Sequence, residues 1–166
     1  VALTVVSDLL DALDYAHRRT NQQTGQPLGF VHGEVSPASV MVSYQGELKL
    51  TDVGLARSTL ELEQTLPGDS PGRLCYQAPE QVRGEPVSVA TDVHALGLLL
   101  HFLLSGRPAF RLRTGSAEEL VRVVCVDEPP VPSGAVLDGE TPPAFEPPET
   151  RQRLAGLLRG DLDAIV

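Results

Sequence analysis

The chain has 166 residues, of which 42% are hydrophobic and 21% charged, the balance of an ordinary globular domain rather than of a disordered or fibrous chain. The formal net charge is −9, from 22 acidic and 13 basic residues. Since no segment carries a basic run, we expect neither nucleic acid nor an anionic membrane as a partner of this segment. Cys75 and Cys125 lie far apart and outside any metal motif, which favours a reducing, cytoplasmic compartment, although the parent protein could be anchored elsewhere.

Hydrophobic periodicity predicts the elements of the first half. Apolar residues recur at three- and four-residue steps from Leu3 to Arg19 and predict an amphipathic helix. Residues 20–29 are polar, contain Gly and Pro, and predict a loop. Residues 40–44 and 47–51 flank a Gln-Gly pair and predict a β-hairpin, because glycine adopts the positive φ of a tight turn. Residues 58–72 are polar and predict an exposed loop.

The second half is predicted to be mainly helical. Residues 91–105 are apolar nearly all round and are followed by Gly106, which is typical of a buried helix with a C-terminal cap. Ser116 and the acids after it predict another helix to about Val126. Residues 127–150 hold half of the 14 prolines, so we expect no regular element there. A last helical pattern begins at Arg151.

Four motifs occur in one order along the chain. Segment 31–40 reads Val-His-Gly-Glu-Val-Ser-Pro-Ala-Ser-Val, and segment 49–57, after the hairpin, reads Lys-Leu-Thr-Asp-Val-Gly-Leu-Ala-Arg. Segment 75–81 reads Cys-Tyr-Gln-Ala-Pro-Glu-Gln, and segment 91–97 reads Thr-Asp-Val-His-Ala-Leu-Gly. In order and spacing, these segments resemble the catalytic loop, metal-binding segment, Ala-Pro-Glu motif and central helix of protein kinases. The residues at these positions, including Pro-Glu-Gln at 79–81, are most similar to those of bacterial Ser/Thr kinases.

The resemblance implies roles for three residues of a phosphoryl-transfer site. In the family, an Asp orients the attacking hydroxyl, while an Asp and an Asn hold the metal ions that bridge the phosphates. Asp52 stands at the position of the metal-binding Asp. Glu34 stands at the hydroxyl-orienting position, where its extra methylene displaces the carboxylate by about 1 Å, a shift that can cost on the order of 10²-fold in rate. Ser39 replaces the metal-binding Asn with a shorter, neutral ligand. Mg and ATP are therefore expected in the intact domain, with Asp52 and Ser39 as the candidate metal and cofactor contacts.

Two further departures concern regulation. Gly33 replaces the loop Arg that pairs with an activation-loop phosphate in the family, so a phosphate on Thr59, Thr65 or Ser70 is expected to find no partner there. Val53 replaces the Phe of the Asp-Phe-Gly motif with a smaller apolar side chain.

A third departure concerns positive charge at the catalytic loop. Ser36 replaces the Lys of this loop, whereas Arg73 follows a glycine where many relatives have Thr. We hypothesise that Arg73 reaches back toward Ser36 and Glu34, restores the lost charge, and belongs with Glu34 to the catalytic set.

Other motif residues have structural roles in the family. The position of Asp92 holds the backbone of the catalytic loop, and the position of His32 stacks in a buried spine. Glu80 normally pairs with an Arg late in the domain, so here it is expected to be unpaired or bound by a substitute such as a nearby Arg. His94 and His101 are expected to pack in the core or a groove rather than bind a metal, because no Cys or acid cluster accompanies them.

The predicted fold is mainly α: a kinase-like C-lobe, with a helical bundle around a buried central helix and a short hairpin beside the catalytic loop. Residues 1–166 are expected to be a partial domain that lacks both the smaller N-lobe and the final helices. The glycine-rich loop, the phosphate-contacting Lys and the helix Glu of the family would all precede Val1. As a fragment, the chain is expected to bind ATP poorly and to be inactive.

Three functions remain open for the parent protein. A pseudokinase would use the fold as a scaffold or allosteric partner in signalling, without the chemistry. An active or weakly active Ser/Thr kinase would use Glu34 as base, Asp52 as metal ligand and Arg73 as compensating cation. An interaction module unrelated to kinases would require the ordered motifs to be coincidence. The expected partners are a protein substrate or signalling protein and the missing N-lobe.

Overall fold

The computed structural model describes residues 1–52, 71–138 and 148–166. These residues form a mainly helical bundle with one small antiparallel sheet, as the sequence predicted. No helix in these three ranges combines the length and the apolar character that a bilayer crossing requires. In chain order the elements are α1 (Ala2–His17), β1 (Val40–Val42), β2 (Leu48–Leu50), α2 (Pro71–Leu74), α3 (Pro79–Val82), α4 (Val89–Ser105), α5 (Ala117–Cys125), α6 (Pro132–Leu137), α7 (Pro148–Leu158) and α8 (Asp161–Ile165).

Helix α1 confirms the first predicted element. It buries Val6, Leu9 and Leu13, which lie three and four residues apart and therefore share one face. This face packs against α4 and β2. The helix ends at His17, two residues before the predicted limit, and this end lies close to the candidate site.

The predicted hairpin is present. Strands β1 and β2 pair antiparallel, with Val40 opposite Leu50 and Val42 opposite Leu48. Gly46 closes the connection with φ of 86°, the left-handed backbone that glycine adopts at little cost. The hairpin lies between the catalytic-loop segment and Asp52 in sequence. Its register therefore helps to set where these two parts of the site lie relative to each other in space.

Helix α4 is the centre of the bundle, as predicted. Its N-terminus is capped by Ser88, whose side chain accepts a hydrogen bond from the Ala90 backbone N–H, and its C-terminus ends at Gly106 with φ of 72°. Its buried side chains include Leu96 and Leu99. The core is built around α4 by buried residues of several other segments: Leu9, Leu13, Val35, Cys75, Tyr76, Phe110, Leu120, Val123 and Val124.

The expectation that residues 127–150 hold no regular element is wrong. Helix α6 (Pro132–Leu137) forms inside this range, and α7 begins at Pro148. Pro132 stands at the start of α6, where a proline is tolerated because the N–H that it lacks would have no intrahelical partner. The single last helical pattern is in fact two helices, because Gly160 interrupts it with φ of 103°.

The turn before α5 is held by one carboxylate. Glu119 accepts hydrogen bonds from the backbone N–H groups of Arg113, Thr114 and Gly115 and from the Thr114 hydroxyl, at 2.7–3.0 Å. The predicted cap is also present, since Ser116 Oγ accepts from the Glu119 N–H. The hydrogen bonds to the carboxylate, those from the Arg113 and Thr114 backbone and the Thr114 hydroxyl above all, lower the pKa of Glu119 from 4.5 to about 2.

Truncation of Leu9 tests the packing of α1 on α4. We expect Leu9→Ala to lower the free energy of unfolding by about 2–5 kcal/mol, because this side chain is 1% exposed and its loss leaves a cavity. The control is Leu10→Ala at the neighbouring position, which is 44% exposed and has little contact area to lose. Urea unfolding of both variants measures the difference, and equal losses would contradict the assigned core face.

Replacing Glu119 with a neutral residue tests the hydrogen bonds between its carboxylate and the turn before α5. The folded-state pKa lies below the unfolded value, so the carboxylate stabilises the fold fully above pH 4.5 and loses this effect as the pH falls toward 2. Glu119→Gln is therefore expected to be less stable than the original chain at pH 6, with the gap closing toward pH 2. Urea titrations across this range measure it, and Glu118→Gln serves as the charge-matched control. A gap that stays constant with pH would refute the role of the carboxylate.

Candidate active site

The catalytic-loop segment is anchored on α4 through Asp92. Its Oδ2 accepts a hydrogen bond from the His32 backbone N–H at 2.9 Å, and its Oδ1 accepts from the Gly33 N–H at 2.7 Å. The Asp92 side chain is 0% exposed, so both bonds form away from water. Gly33 has φ of 75°, a backbone conformation that costs other residues roughly 1–2 kcal/mol. These are the loop contacts that the resemblance predicted for Asp92.

Asp92 has a third partner that the sequence analysis missed. His17 Nε2 lies 2.7 Å from Asp92 Oδ2, with the imidazole almost fully buried. A buried carboxylate needs such donors, because its desolvation costs several kcal/mol. His17 was interpreted only as one of several late cations in α1. The contact joins residues 75 apart in sequence, and no local pattern indicates it.

His32 links the loop to the segment that carries Asp52. Its ring is buried, with Nε2 2.9 Å from the Thr51 carbonyl oxygen and Nδ1 3.2 Å from the Glu34 backbone N–H. Nδ1 therefore accepts and Nε2 donates, which is one neutral tautomer that satisfies both bonds. Both ring nitrogens are therefore engaged, which leaves His32 no free nitrogen for proton transfer.

Glu34 is paired with Arg73. The Arg73 Nη2 donates to Glu34 Oε2 at 2.5 Å, as the hypothesised reach toward Glu34 required. The two side chains are 42% and 27% exposed, so the pair orients the carboxylate more than it stabilises the fold. The second half of the hypothesis is wrong: Ser36 Oγ is buried and has no hydrogen-bond partner, so Arg73 does not bind it.

The hydroxyl of Ser39 is engaged inside its own turn. Residues Pro37–Ser39 form a single 3₁₀ turn, in which Ser39 Oγ accepts from the Ser36 N–H at 3.0 Å and donates to the Ser36 carbonyl at 2.9 Å. Ser39 is 1% exposed. One of its two lone pairs is therefore taken, and the remaining oxygen surface is almost closed to solvent.

Asp52 differs from Ser39 both in its exposure and in its hydrogen bonding. It is exposed, and its backbone has φ of 62°, a left-handed conformation that costs a residue other than glycine roughly 1–3 kcal/mol. The Thr51 hydroxyl donates to its Oδ2 at 3.3 Å. Of the two positions expected to bind metal, an exposed carboxylate fits a hard divalent cation, whereas the enclosed hydroxyl of Ser39 does not.

Several predicted positions near Asp52 lie outside the described residues. These are Val53 and the three hydroxyls considered for phosphorylation, which belong to Thr59, Thr65 and Ser70. The predicted exposed loop over 58–72 also falls there, except for its last two residues, which begin α2.

Gln81 is a second contact that the sequence did not indicate. Its Nε2 donates to the Gly33 carbonyl oxygen at 2.6 Å, and its Oε1 accepts from the Ala78 backbone N–H at 2.9 Å. Gly33 is thus bound through its N–H by Asp92 and through its carbonyl by Gln81. Gly33 and Gln81 are 48 positions apart in sequence, so no local motif indicates this hydrogen bond.

Glu80 is bound by the hydroxyl of Thr91. Thr91 Oγ1 donates to Glu80 Oε1 at 2.5 Å, so the expectation of an unpaired carboxylate is wrong, and the substitute partner is a hydroxyl instead of the Arg suggested as an example. Thr91 lies in the first turn of α4, where its Oγ1 also accepts from the Ser88 N–H. The contact therefore joins the Pro-Glu-Gln segment to the start of the central helix.

Neither histidine of α4 belongs to a metal site in the described ranges. His101 is buried, with its ring nitrogens 3.1 Å from the Arg107 carbonyl and 2.9 Å from the Pro130 carbonyl. Burial lowers the pKa of His94, against a smaller opposing effect of Glu80. The residues that the structure describes contain no cluster of three or more His, Cys, Asp or Glu able to hold a metal.

Comparison with known proteins gives a consistent family. The model of the family described as "Protein kinase domain" matches residues 1–133. The chain is 35% identical over 159 residues to the tyrosine-protein kinase MasK of Myxococcus xanthus, covering 95% of this chain and 22% of that protein. It is 30% identical over 171 aligned residues to the serine/threonine-protein kinase PknB of Mycobacterium tuberculosis, covering 97% of this chain and 25% of that protein. The chain thus spans about a quarter or less of the length of these relatives.

Removal of His17 tests the third bond to Asp92. We expect His17→Ala to lower the free energy of unfolding by about 3 kcal/mol, because it leaves the buried carboxylate short of a donor. Arg18→Ala is the neighbouring control. Its ion pair with Asp14 is 79% exposed on the Arg side, and we expect a loss below about 1 kcal/mol. Urea unfolding gives both values, and a His17→Ala loss no larger than the control would argue against the buried contact.

Proposed function

Because the chain belongs to the protein kinase domain family and resembles bacterial Ser/Thr kinases, we propose that it is the larger lobe of a pseudokinase with a scaffolding role in signalling. Intact kinase domains of this family use ATP and Mg and act on protein hydroxyl groups. In the proposed function, the lobe keeps the fold that presents such a site to a protein partner. It does not transfer phosphate by itself.

The observation that carries the proposal is the enclosure of the Ser39 hydroxyl. Phosphoryl transfer depends on metal ions held against the phosphates, and two protein positions share that task in kinases. Here the oxygen at one of them is 1% exposed and bound to Ser36 on both its donor and acceptor sides. To reach a metal, it would have to give up bonds that hold the turn together. Of these two positions, Asp52 is then the one whose side chain is available to a metal ion.

The Arg73 and Glu34 contact supports the same proposal. A general base must be within hydrogen-bond reach of the hydroxyl whose proton it takes. One oxygen of Glu34 is instead occupied by Arg73 Nη2 at 2.5 Å. A substrate hydroxyl would compete with this ion pair for the carboxylate.

A second candidate function is a weakly active protein kinase, and the exposure of two carboxylates favours it. Asp52 is exposed, and Glu34 keeps a second oxygen that Arg73 Nη2 does not bind. In that candidate, Glu34 orients the substrate hydroxyl, Arg73 supplies the charge that Ser36 does not, and Asp52 holds the metal. Since the relatives include kinases named for tyrosine and for serine/threonine, both hydroxyl classes belong in the assay.

The test compares the complete parent domain with a variant in which both positions are restored. We expect no phosphorylation of Ser, Thr or Tyr peptides by the unmodified domain with Mg or Mn. The double variant Glu34→Asp, Ser39→Asn is expected to raise turnover by about 10²-fold or more over that background, because it returns the carboxylate to its place and supplies a metal ligand. The same double variant with Asp52→Asn is the control, and it is expected to stay at background.

The opposite result is equally specific. Turnover by the unmodified domain that Glu34→Ala abolishes would replace the pseudokinase with the weakly active enzyme. For the 166-residue chain itself, calorimetric titration with Mg-ATP is expected to give no micromolar binding. Binding in that range would contradict the proposal that this lobe alone is inactive toward nucleotide.

A further inference from the structure

We propose that Gln81 is a positioning residue that couples the Pro-Glu-Gln segment to the catalytic loop through the carbonyl of Gly33. The side-chain amide forms two bonds in opposite directions. Its nitrogen donates to Gly33 O at 2.6 Å, and its oxygen accepts from the Ala78 N–H at 2.9 Å. One planar group therefore connects the N-terminus of α3 with the residue directly before Glu34.

The bond to Gly33 matters because that residue is held at both ends of its backbone. Asp92 binds its N–H and Gln81 binds its carbonyl, while its φ of 75° lies in the region where glycine has the least restraint of its own. Without Gln81, the peptide between Gly33 and Glu34 keeps the bond from the Glu34 N–H to His32 Nδ1 at 3.2 Å but loses the bond to its carbonyl, so its rotation is less restrained. Since the Glu34 side chain leaves the backbone at the next Cα, this rotation moves its carboxylate.

The other end of the amide fixes where Gln81 stands. Its oxygen caps the first N–H of α3, whose four residues give it little rigidity of their own. Helix α3 packs against α5, where Cys125 Sγ lies 3.9 Å from the Pro79 carbonyl. A displacement of α3 is thus transmitted through one side chain to Gly33. A partner that contacts this segment would therefore alter the placement of Glu34 without touching it.

The proposal rests on the proposed function for its meaning in signalling, but its geometry is independent of turnover. A purely structural explanation of Gln81 would need only the cap on Ala78. The bond to Gly33 goes beyond this, and substitutions can separate the two. Glu at position 81 retains an acceptor for Ala78 but has no proton to donate above its pKa, whereas Lys retains a donor and has no acceptor.

The experiment measures amide hydrogen exchange by NMR in the nucleotide-free chain, with Gln81→Glu and Gln81→Lys. Exchange at Glu34, whose N–H shares a peptide with the Gly33 carbonyl, and at Ala78 is expressed relative to Leu99 in the centre of α4, which corrects for any change in global stability. Gln45→Glu and Gln45→Lys place the same charges in the hairpin turn and serve as matched controls.

We expect the two variants to accelerate exchange at different amides. In Gln81→Glu, relative exchange at Glu34, whose N–H lies on the same peptide as the Gly33 carbonyl, rises on the order of tenfold, the equivalent of one lost hydrogen bond, and Ala78 is unchanged. In Gln81→Lys, Ala78 exchanges faster, and Glu34 stays within about twofold of the original chain, the margin that the Gln45 controls define. Equal acceleration of Glu34 in both variants would reduce Gln81 to a helix cap, and no acceleration of Glu34 in Gln81→Glu would remove the link altogether. Because the readout needs no ATP, either result leaves the test of the pseudokinase proposal intact.

Discussion

The arrangement of the site depends on one buried carboxylate. Asp92 is 0% exposed and receives three hydrogen bonds, from the backbone of His32 and Gly33 and from the ring of His17. Bonds to an ionised acceptor are about twice as strong as neutral ones, and three of them offset a desolvation cost of several kcal/mol. Since Asp92 stands on the central helix, these bonds transfer the rigidity of the core to a loop that has no regular structure over residues 31–35.

The remaining contacts fix the loop from other directions. His32 reaches the Thr51 carbonyl at the end of the hairpin, and Gln81 reaches Gly33 from α3. Arg73 reaches Glu34 from α2. The loop is therefore held by Asp92 on α4, by Gln81 on α3 and by the Thr51 carbonyl after β2, and none of these contacts involves the side chain of residue 34. This independence explains how a kinase-like geometry can persist while the residues expected to perform chemistry differ.

The sequence predicted those parts of the structure that leave a local pattern. The recurrence of Leu3, Val6, Leu10 and Leu13 indicated α1, although the structure buries Leu9 on that helix and leaves Leu3 and Leu10 exposed. The cap residues Ser116 and Gly106 indicated where α5 begins and α4 ends. Helix α6 leaves no such pattern. The many prolines of residues 127–150 argue against a helix there, although a proline at the first helical position is compatible with one.

Contacts between residues far apart in sequence leave no local pattern of this kind. The contacts of His17 and Gln81 span 75 and 48 residues, so neither has a neighbour in sequence that identifies its partner. Glu80 was expected to be unpaired or bound by a substitute such as a nearby Arg, and the fold places the Thr91 hydroxyl beside it as the substitute. Arg73 was anticipated because charge balance around Glu34 required a cation, and only its second target, Ser36, was wrong.

Burial separates the residues that hold the loop from those that would decide its chemistry. The bonds to Asp92 form around a carboxylate that is 0% exposed, whereas the pair between Glu34 and Arg73 is 27% and 42% exposed and contributes about 0–1 kcal/mol. A substrate hydroxyl could displace Arg73 at that modest cost, so the ion pair by itself is a weak barrier to catalysis. Ser39 is different, because exposing its oxygen breaks two bonds within a buried turn. In the proposed pseudokinase, the metal position, more than the base, is therefore where the loop would depart from an active kinase.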